Sequence, residues 1–168
     1  MRREKKGLFF FSLLFSLLLL PSCGFQLRGD PAVGIKTLHV STAGPTGVLT
    51  DIRRVLASGP TRVVANPGEA EAQLRIISET RDKTVATITG SGRVYDFLLR
   101  LTVRYEVMLP GREAPLIPST EATATRLITY SESSPTAKEV EELLLFKDMQ
   151  LDIAGRILRH IAVVRRES

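Results

Sequence analysis

The feature that most constrains this chain is its single cysteine, Cys23, together with the segment that precedes it. Residues 2–6 are four basic residues and one glutamate, and residues 8–20 are apolar except for Ser12 and Ser16. A basic start followed by a short apolar run and a small residue is typical of a secretory signal peptide. The apolar run is shorter than the about 20 residues that a transmembrane helix needs. The sequence therefore predicts an exported protein.

The cysteine ends the tetrapeptide Leu-Pro-Ser-Cys at residues 20–23, which resembles the lipobox of bacterial lipoproteins. In that class the signal peptide is cleaved before the cysteine, so residues 1–22 would be removed and Cys23 would carry diacylglycerol and an N-acyl chain. Residues 24–168 hold no other cysteine, whereas exported proteins normally use cysteines in pairs as disulfides. We therefore expect residues 23–34 to form a lipidated tether, and we expect no other cofactor. An ordinary buried thiol or an uncleaved anchor are the alternatives.

The charge of the mature chain argues against one class of partner. The whole chain has a net charge of +5, but residues 1–22 hold four of the cations and one anion, so residues 23–168 keep a charge of +2. A nucleic-acid-binding domain normally presents a strongly basic face, so we expect no nucleic-acid partner. Residues 35–168 are long enough for one domain with its own apolar core.

The clearest structural signal is a long alternation of apolar and polar residues from Tyr95 to Leu109. Every odd position is apolar, whereas the even positions include Asp96 and Arg100. Such an alternation indicates a strand with one buried face and favours an antiparallel sheet. Further strands are predicted at Ile35–Ser41, Arg62–Ala65, Gln73–Thr80, Lys83–Thr89 and Ile117–Tyr130. The pattern leaves open whether Lys83–Thr89 continues the strand before it or returns beside it.

Two helices are predicted from apolar residues at helical spacing. The first spans Val48 to Ser58 and stops at Gly59-Pro60. The second runs from Thr136 to about Val164, and we expect its broad apolar face to pack on the sheet. That face comprises Val140, Leu143, Leu144, Phe146, Ile153, Ile157, Leu158 and Ile161. The order of elements predicts an α+β fold, a two-layer sandwich with a mostly antiparallel sheet of about four strands and two helices on one face.

The sequence lacks the usual catalytic and metal-binding patterns. His39 and His160 lie far apart, and neither has a metal-ligating residue at a suitable spacing. The segment Gly90-Ser91-Gly92 lies between two predicted strands, so a hairpin turn explains it better than a phosphate-binding loop. We therefore predict that the chain is not an enzyme. A periplasmic enzyme on a similar fold would need a carboxylate or histidine cluster with strongly shifted pKa values.

Three segments carry a resemblance to a known family. Residues 23–29, Cys-Gly-Phe-Gln-Leu-Arg-Gly, resemble the start of the mature chains of the LptE family of lipopolysaccharide-assembly lipoproteins. Residues 109–113, Leu-Pro-Gly-Arg-Glu, resemble the turn in the middle of the family's long hairpin. The last helix, with Lys147-Asp148-Met149 and Arg156-Ile157-Leu158-Arg159, resembles the closing helix of the family. The similarity runs in order through essentially the whole mature chain.

The resemblance implies a role in binding and assembly. Members of the family plug a large outer-membrane β-barrel, LptD, and together the two proteins insert lipopolysaccharide into the outer leaflet. We therefore expect an LptD-like barrel and lipopolysaccharide as partners, and a lipid-anchored protein on the periplasmic side of the outer membrane. A barrel lumen is polar, which suits a sheet face rich in Thr, Ser, Arg and Glu. An accessory lipoprotein of another outer-membrane assembly or secretion machine, without lipopolysaccharide binding, is the alternative.

The resemblance also implies candidate contacts for an anionic glycolipid, which cationic side chains recognise. The family uses a basic residue at the tip of the first hairpin and a lysine in the last helix. Lys147 matches the position in the helix. At the tip Gly90 occupies the matching position, and Arg93 is the nearest cation. Ordinary solvated charges are the alternative interpretation of Lys147 and Arg93.

Overall fold

The computed structural model describes residues 33–90, 92–129 and 135–167, so Cys23 and most of the predicted tether lie outside the described residues. Two helices and five strands form an α+β fold, as the sequence predicts. In chain order the elements are β1 (Thr37–Thr42), α1 (Val48–Ala57), β2 (Arg62–Val64), a 3-10 turn (Pro67–Glu69), β3 (Ala72–Ile88), β4 (Val94–Met108), β5 (Ile117–Thr129) and α2 (Pro135–Glu167).

The five strands form one mixed sheet in the order β2-β1-β3-β4-β5. The strand β1 lies in the middle of a parallel part, because β2 and β3 both run parallel to it. The strand β4 runs antiparallel to both of its neighbours, β3 and β5, and these three strands form the long part of the sheet. The expected four strands thus become five. All five strands lie in segments that the sequence predicts as strands, and a helical connection returns the short strand β2 parallel to β1.

A single continuous strand, β3, covers both segments that the sequence left open, so Lys83–Thr89 continues the strand before it. Its register with β4 shifts between Ile76 and Ser78, which leaves Ile77 as an extra residue in a β-bulge. Before the bulge the even positions face the helices. After it the odd positions from Glu79 to Val85 do, until the register shifts again between Val85 and Ile88. A change of phase within one strand breaks the alternation that sequence patterns rely on.

The apolar core lies between the sheet and the two helices. From β4 it takes the odd-numbered residues Leu99, Leu101, Val103, Tyr105 and Val107, which confirms the predicted buried face. Tyr95 is an exception, because 51% of its surface is exposed. From α2 the core takes Phe146, Met149, Ile153, Ile157, Leu158 and Ile161.

The prediction that the whole apolar face of α2 packs on the sheet is wrong for its first turns. Val140, Leu143 and Leu144 are 53%, 63% and 65% exposed. The helix α2 has 33 residues and is about 50 Å long, whereas α1 has 10 residues and is about 15 Å long. Since α1 packs beside the region around Lys147 and Gln150, it is too short to cover the first turns of α2 as well.

Candidate functional site

Lys147, the glycolipid candidate in the last helix, is held by a buried carboxylate. Its Nζ donates to both carboxylate oxygens of Asp51 in α1, at 2.7 and 2.8 Å. The Asp51 side chain is completely buried, whereas 44% of the Lys147 side chain is exposed. Arg54 also donates to Asp51, at 2.9 Å. Lys147 therefore joins α2 to α1, and an anion that binds it would compete with Asp51.

Arg93, the second candidate, lies at the turn between β3 and β4. Its carbonyl accepts a hydrogen bond from the Thr89 amide at 2.7 Å, and its amide donates to Thr89 Oγ1 at 3.1 Å. Gly92 has φ +79°, a conformation that glycine adopts without strain, and its amide donates to the Thr89 carbonyl. The described part of this segment is thus the predicted hairpin turn, and Ser91 lies outside the described residues.

The two candidates are not brought together. The ion pair between Lys83 and Glu142 places that part of β3 beside that part of α2. From there the strand runs about 17 Å further to Ile88, because a strand rises about 3.3 Å per residue. The helix runs in the opposite direction, away from the hairpin turn, to reach Lys147. Arg93 and Lys147 are therefore about 20 Å or more apart, and one small anionic group cannot contact both.

A second polar cluster ties β3, α1 and α2 together around Glu79. Its Oε2 accepts hydrogen bonds from Thr46 Oγ1 at 2.6 Å and from the amides of Gly47 and Val48 at 2.8 and 3.1 Å. Because these amides begin α1, the carboxylate caps the helix from another element. Its Oε1 accepts from Gln150 of α2 at 2.8 Å.

The hydrogen bonds set the protonation of Glu79. Burial acts to raise the pKa of this carboxyl, but hydrogen bonds from Thr46, Val48, Gln150 and Arg81 outweigh it and leave the pKa below its ordinary value. Glu79 is therefore charged when it caps α1. The cluster stabilises the fold, and no sequence pattern indicated it because its members come from three separate segments.

Further cations line the face of the sheet that turns towards α2. Lys83 pairs with Glu142 at 2.6 Å and lies 4.6 Å from the centre of the Phe97 ring. Beside them is a cleft of about 210 Å³, whose lining also includes Ile128 and Lys138. Sequence patterns missed this group, because the bulge in β3 decides which of its residues face the helix.

The opposite face of the long sheet is polar and contacts no other element in the described part of the chain. Cross-strand pairs hold its side chains in place. Arg104 of β4 forms an ion pair with Glu121 of β5, and the hydroxyls of Thr102 and Thr123 lie 3.4 Å apart. The exposed residues of this face include Thr80, Asp82, Thr84, Arg100, Arg104, Glu121, Thr123 and Thr125. Leu127, 63% exposed, is the large apolar residue among them.

The two histidines take part in structural contacts. His160 Nδ1 and the Tyr105 hydroxyl are hydrogen-bonded at 2.6 Å, and burial raises the pKa of Tyr105. His39 Nδ1 lies 3.1 Å from the Val64 carbonyl, across the β1–β2 pair.

Over the described ranges, no three His, Cys, Asp or Glu side chains are close enough to hold a metal ion. Nor does any described helix have the length and apolar character to cross a membrane.

Comparison with known proteins gives a consistent result. Two relatives named LPS-assembly lipoprotein LptE cover most of the chain. The one from Pectobacterium atrosepticum is 25% identical over 162 residues, which is 94% of this chain and 86% of the relative. The one from Yersinia enterocolitica is 28% identical over 153 residues, which is 89% of this chain and 72% of the relative.

A solved structure agrees with the fold. The solution structure of lipoprotein B from Nitrosomonas europaea is 28% identical and superimposes with a TM-score of 0.72, covering 85% of this chain and 93% of that one. The family model described as LptE, lipopolysaccharide-assembly, matches residues 35–161. This chain therefore belongs to the LptE family of lipopolysaccharide-assembly proteins.

Proposed function

We propose that this chain is a lipid-anchored protein of the outer membrane that plugs an LptD-like β-barrel and supports the insertion of lipopolysaccharide into the outer leaflet. The observation that carries the proposal is the family match over residues 35–161. The names of the two relatives link them to lipopolysaccharide assembly. We propose no catalytic step, because a plug acts by occupying space, contacting its barrel and binding a ligand.

The shape and surface of the domain support the proposal. The strand β3 has 17 residues and is about 56 Å long, more than the about 25 Å height of the apolar band of an outer-membrane barrel. The polar sheet face, with ion pairs and hydroxyl contacts between neighbouring strands, suits a lumen that is itself polar. Such cross-strand pairs keep the surface rigid without burying it in the domain's own core.

The tether determines which end of the domain lies near the membrane. Gly34 lies close to Arg165, so the N-terminal end of the described chain lies beside the C-terminal end of α2. Val33 lies ten positions after Cys23, and a segment of that length spans at most about 36 Å when fully extended. An acylated Cys23 in the periplasmic leaflet would therefore hold the end that carries Gly34. The turn between β3 and β4 lies at the opposite end.

Lipopolysaccharide contacts at Lys147 and Arg93 are part of the proposal. The separation of the two cations favours contacts with different parts of a large glycolipid. A phosphate at Lys147 would have to share this lysine with Asp51, because a buried carboxylate that loses its partner is costly. Lys83, beside its cleft, is a further cation within reach of a glycolipid that approaches along α2.

The test is photocrosslinking in cells, followed by purification of the tagged chain from solubilised outer membranes. A photoreactive residue replaces Thr102, in the middle of the polar sheet face. The control replaces Glu69, which lies beside Thr37 at the tethered end of the domain. We expect Thr102 to crosslink to a large, heat-modifiable barrel more strongly than Glu69 does. Crosslinks at Thr102 to a different machine would support the alternative accessory role, and none to any barrel would overturn the plug.

A second experiment tests the anchor. Cys23→Ala removes the acylation site, and Cys23→Ser keeps a similar size without the thiol. We expect both variants to lose the lipid and to leave washed membranes when the barrel partner is absent. Tight membrane association of unacylated protein under these conditions would contradict the proposed lipid anchor.

A further inference from the structure

The strand β5 is the last strand of the sheet, and β4 is its only neighbouring strand in the described part of the chain. It has 13 residues, whereas the strand at the other edge, β2, has three. A long edge presents backbone amides and carbonyls that can pair with a strand of another molecule. Residues 122–125, Ala-Thr-Ala-Thr, hold no charge and no proline that would hinder such pairing.

Two arginines donate hydrogen bonds to backbone carbonyls in the middle of this strand. Arg156 Nη1 of α2 donates to the Thr123 carbonyl at 3.0 Å, and Arg126 Nη1 donates to the Thr125 carbonyl at 3.0 Å. Residues two apart in a strand direct their backbone groups to the same side. A guanidinium group does not fit between two paired strands, so these contacts place both groups on the side of β5 that β4 does not occupy, which is the open edge.

Carboxylates of α2 hold both guanidinium groups in these positions. Asp152 accepts from Arg156 Nε at 3.1 Å and from Arg156 Nη2 at 2.7 Å, a bidentate pair one helical turn apart. Asp148 accepts from Arg126 Nη2 at 2.9 Å, and Asp152 lies 3.8 Å from the same nitrogen. Bidentate arginine–carboxylate pairs fix the direction of the guanidinium plane. The helix thus positions the arginines against the strand edge.

We propose that Arg126 and Arg156 prevent β5 from pairing with β5 of a second copy of this chain. An incoming strand needs the carbonyls of Thr123 and Thr125 as acceptors, and it must displace both arginines to reach them. Without the arginines, antiparallel pairing about a two-fold axis would join two five-stranded sheets. This protection goes beyond the proposed function, and it would keep a plug monomeric until it meets its barrel.

The test compares two double variants of the full chain, purified in a mild detergent. Arg126→Ala/Arg156→Ala removes the two edge contacts. The matched control Arg75→Ala/Arg104→Ala removes two charges that are 57% and 51% exposed and are each paired with one glutamate. Protein mass is measured by light scattering over a wide concentration range. Hydrogen exchange reports on the amides of β5.

We call Arg126→Ala/Arg156→Ala the edge variant. As its concentration rises, we expect its measured mass to double and the backbone amides of β5 to become protected from hydrogen exchange. The parent chain and the control should remain monomeric. Thr125→Pro in the edge variant should restore the monomer, because proline removes an amide on the open edge.

A folded edge variant that stays monomeric would overturn the proposal. Dimerisation of the control, or a dimer without protection of β5, would do the same. If the double variant does not fold, Arg156→Ala alone replaces it, because Arg156 lies on an exposed face of α2. We expect concentration-dependent dimerisation there as well, and a strictly monomeric Arg156→Ala would count against the proposal.

Discussion

The contact between Lys147 and Asp51 gives the sharpest prediction about stability, because its two members differ in burial. Asp51 is completely buried, and 44% of the Lys147 side chain is exposed. Lys147→Met keeps the aliphatic stem but leaves the buried carboxylate with Arg54, whose side chain is 60% exposed. Asp51→Ala instead leaves a half-exposed ammonium group that water can solvate. Lys147→Met and Asp51→Ala remove the same ion pair, but they should lower the free energy of unfolding by different amounts.

The magnitudes follow from burial. Removing one partner of a buried ion pair costs about 3–5 kcal/mol. The exposure of Lys147 and the remaining contact with Arg54 reduce this, so we expect Lys147→Met to lower the free energy of unfolding by about 2 kcal/mol. This corresponds to a fall in Tm of about 8 °C for a domain of this size. Asp51→Ala should cost about 1 kcal/mol, and the double variant little more, because no unpaired buried charge remains.

Chemical denaturation of the two single variants and the double variant measures these values and their coupling, which we expect to be about 2 kcal/mol. Lys138→Met is the matched control, since Lys138 lies on the same helix and pairs with Glu141, which is 48% exposed. The control should change stability by less than about 0.5 kcal/mol. If Lys147→Met costs no more than the control, or less than Asp51→Ala, the burial of Asp51 does not determine the loss of stability.

Three further predictions concern the other buried polar groups. A Cβ at Gly47 would lie 2.0 Å from Gln150 Nε2, so Gly47→Ala should break the hydrogen bond from Gln150 to Glu79. We expect the free energy of unfolding to fall by about 1 kcal/mol. In a Gln150→Ala background, where this hydrogen bond is already absent, chemical denaturation should show no further loss from Gly47→Ala. Because the folded-state pKa of Glu79 is lowered, its stabilising effect is present above pH 4.5 and is lost as pH falls through the folded-state pKa. The free energy of unfolding of Glu79→Gln, measured over a series of acidic pH values, should therefore fall less steeply than that of the parent chain. Because burial raises the pKa of Tyr105, its contribution is present below pH 10 and is lost as pH rises through the folded-state pKa. Tyr105→Phe should cost about 1 kcal/mol at neutral pH, through loss of the hydrogen bond to His160, and should remove that alkaline dependence in a pH series of thermal melts.

The elements with a regular apolar period could be predicted from the sequence. The alternation through Leu99, Leu101 and Val103 predicted β4 to within a residue at each end, and helical spacing predicted both helices. Local patterning is enough there, because each buried side chain faces the same layer as its neighbours two or four residues away.

The remaining features depend on contacts between distant segments, which no local pattern records. The bulge at Ile77 is defined only by pairing with β4, so the change of face along β3 could not be predicted. Asp51 looks like a solvated helix residue, yet Lys147 pairs with it from 96 positions away and makes its burial possible. Separation along the chain also explains why no sequence pattern predicts the contact of Arg156 with Thr123 at the sheet edge.

The resemblance to the LptE family predicted Lys147 as a candidate contact for lipopolysaccharide, but it did not predict the surroundings of this lysine. It placed a lysine at Lys147 in the closing helix, and the structure shows that lysine bound to Asp51. Whether Lys147 also meets a glycolipid is a separate prediction. The Asp51→Ala variant tests it directly, because the substitution releases the lysine without removing it and should tighten binding to lipopolysaccharide.

Depletion of this chain tests whether it serves lipopolysaccharide assembly at the outer membrane, as we propose. The most direct test is to deplete the chain in the cells that express it and to measure newly made lipopolysaccharide at the cell surface. Re-expression of the parent chain should restore the signal, which controls for indirect effects of depletion. We expect that depletion lowers lipopolysaccharide at the cell surface, while newly made lipopolysaccharide accumulates inside the cell envelope. Normal delivery of lipopolysaccharide to the surface of fully depleted cells would contradict it.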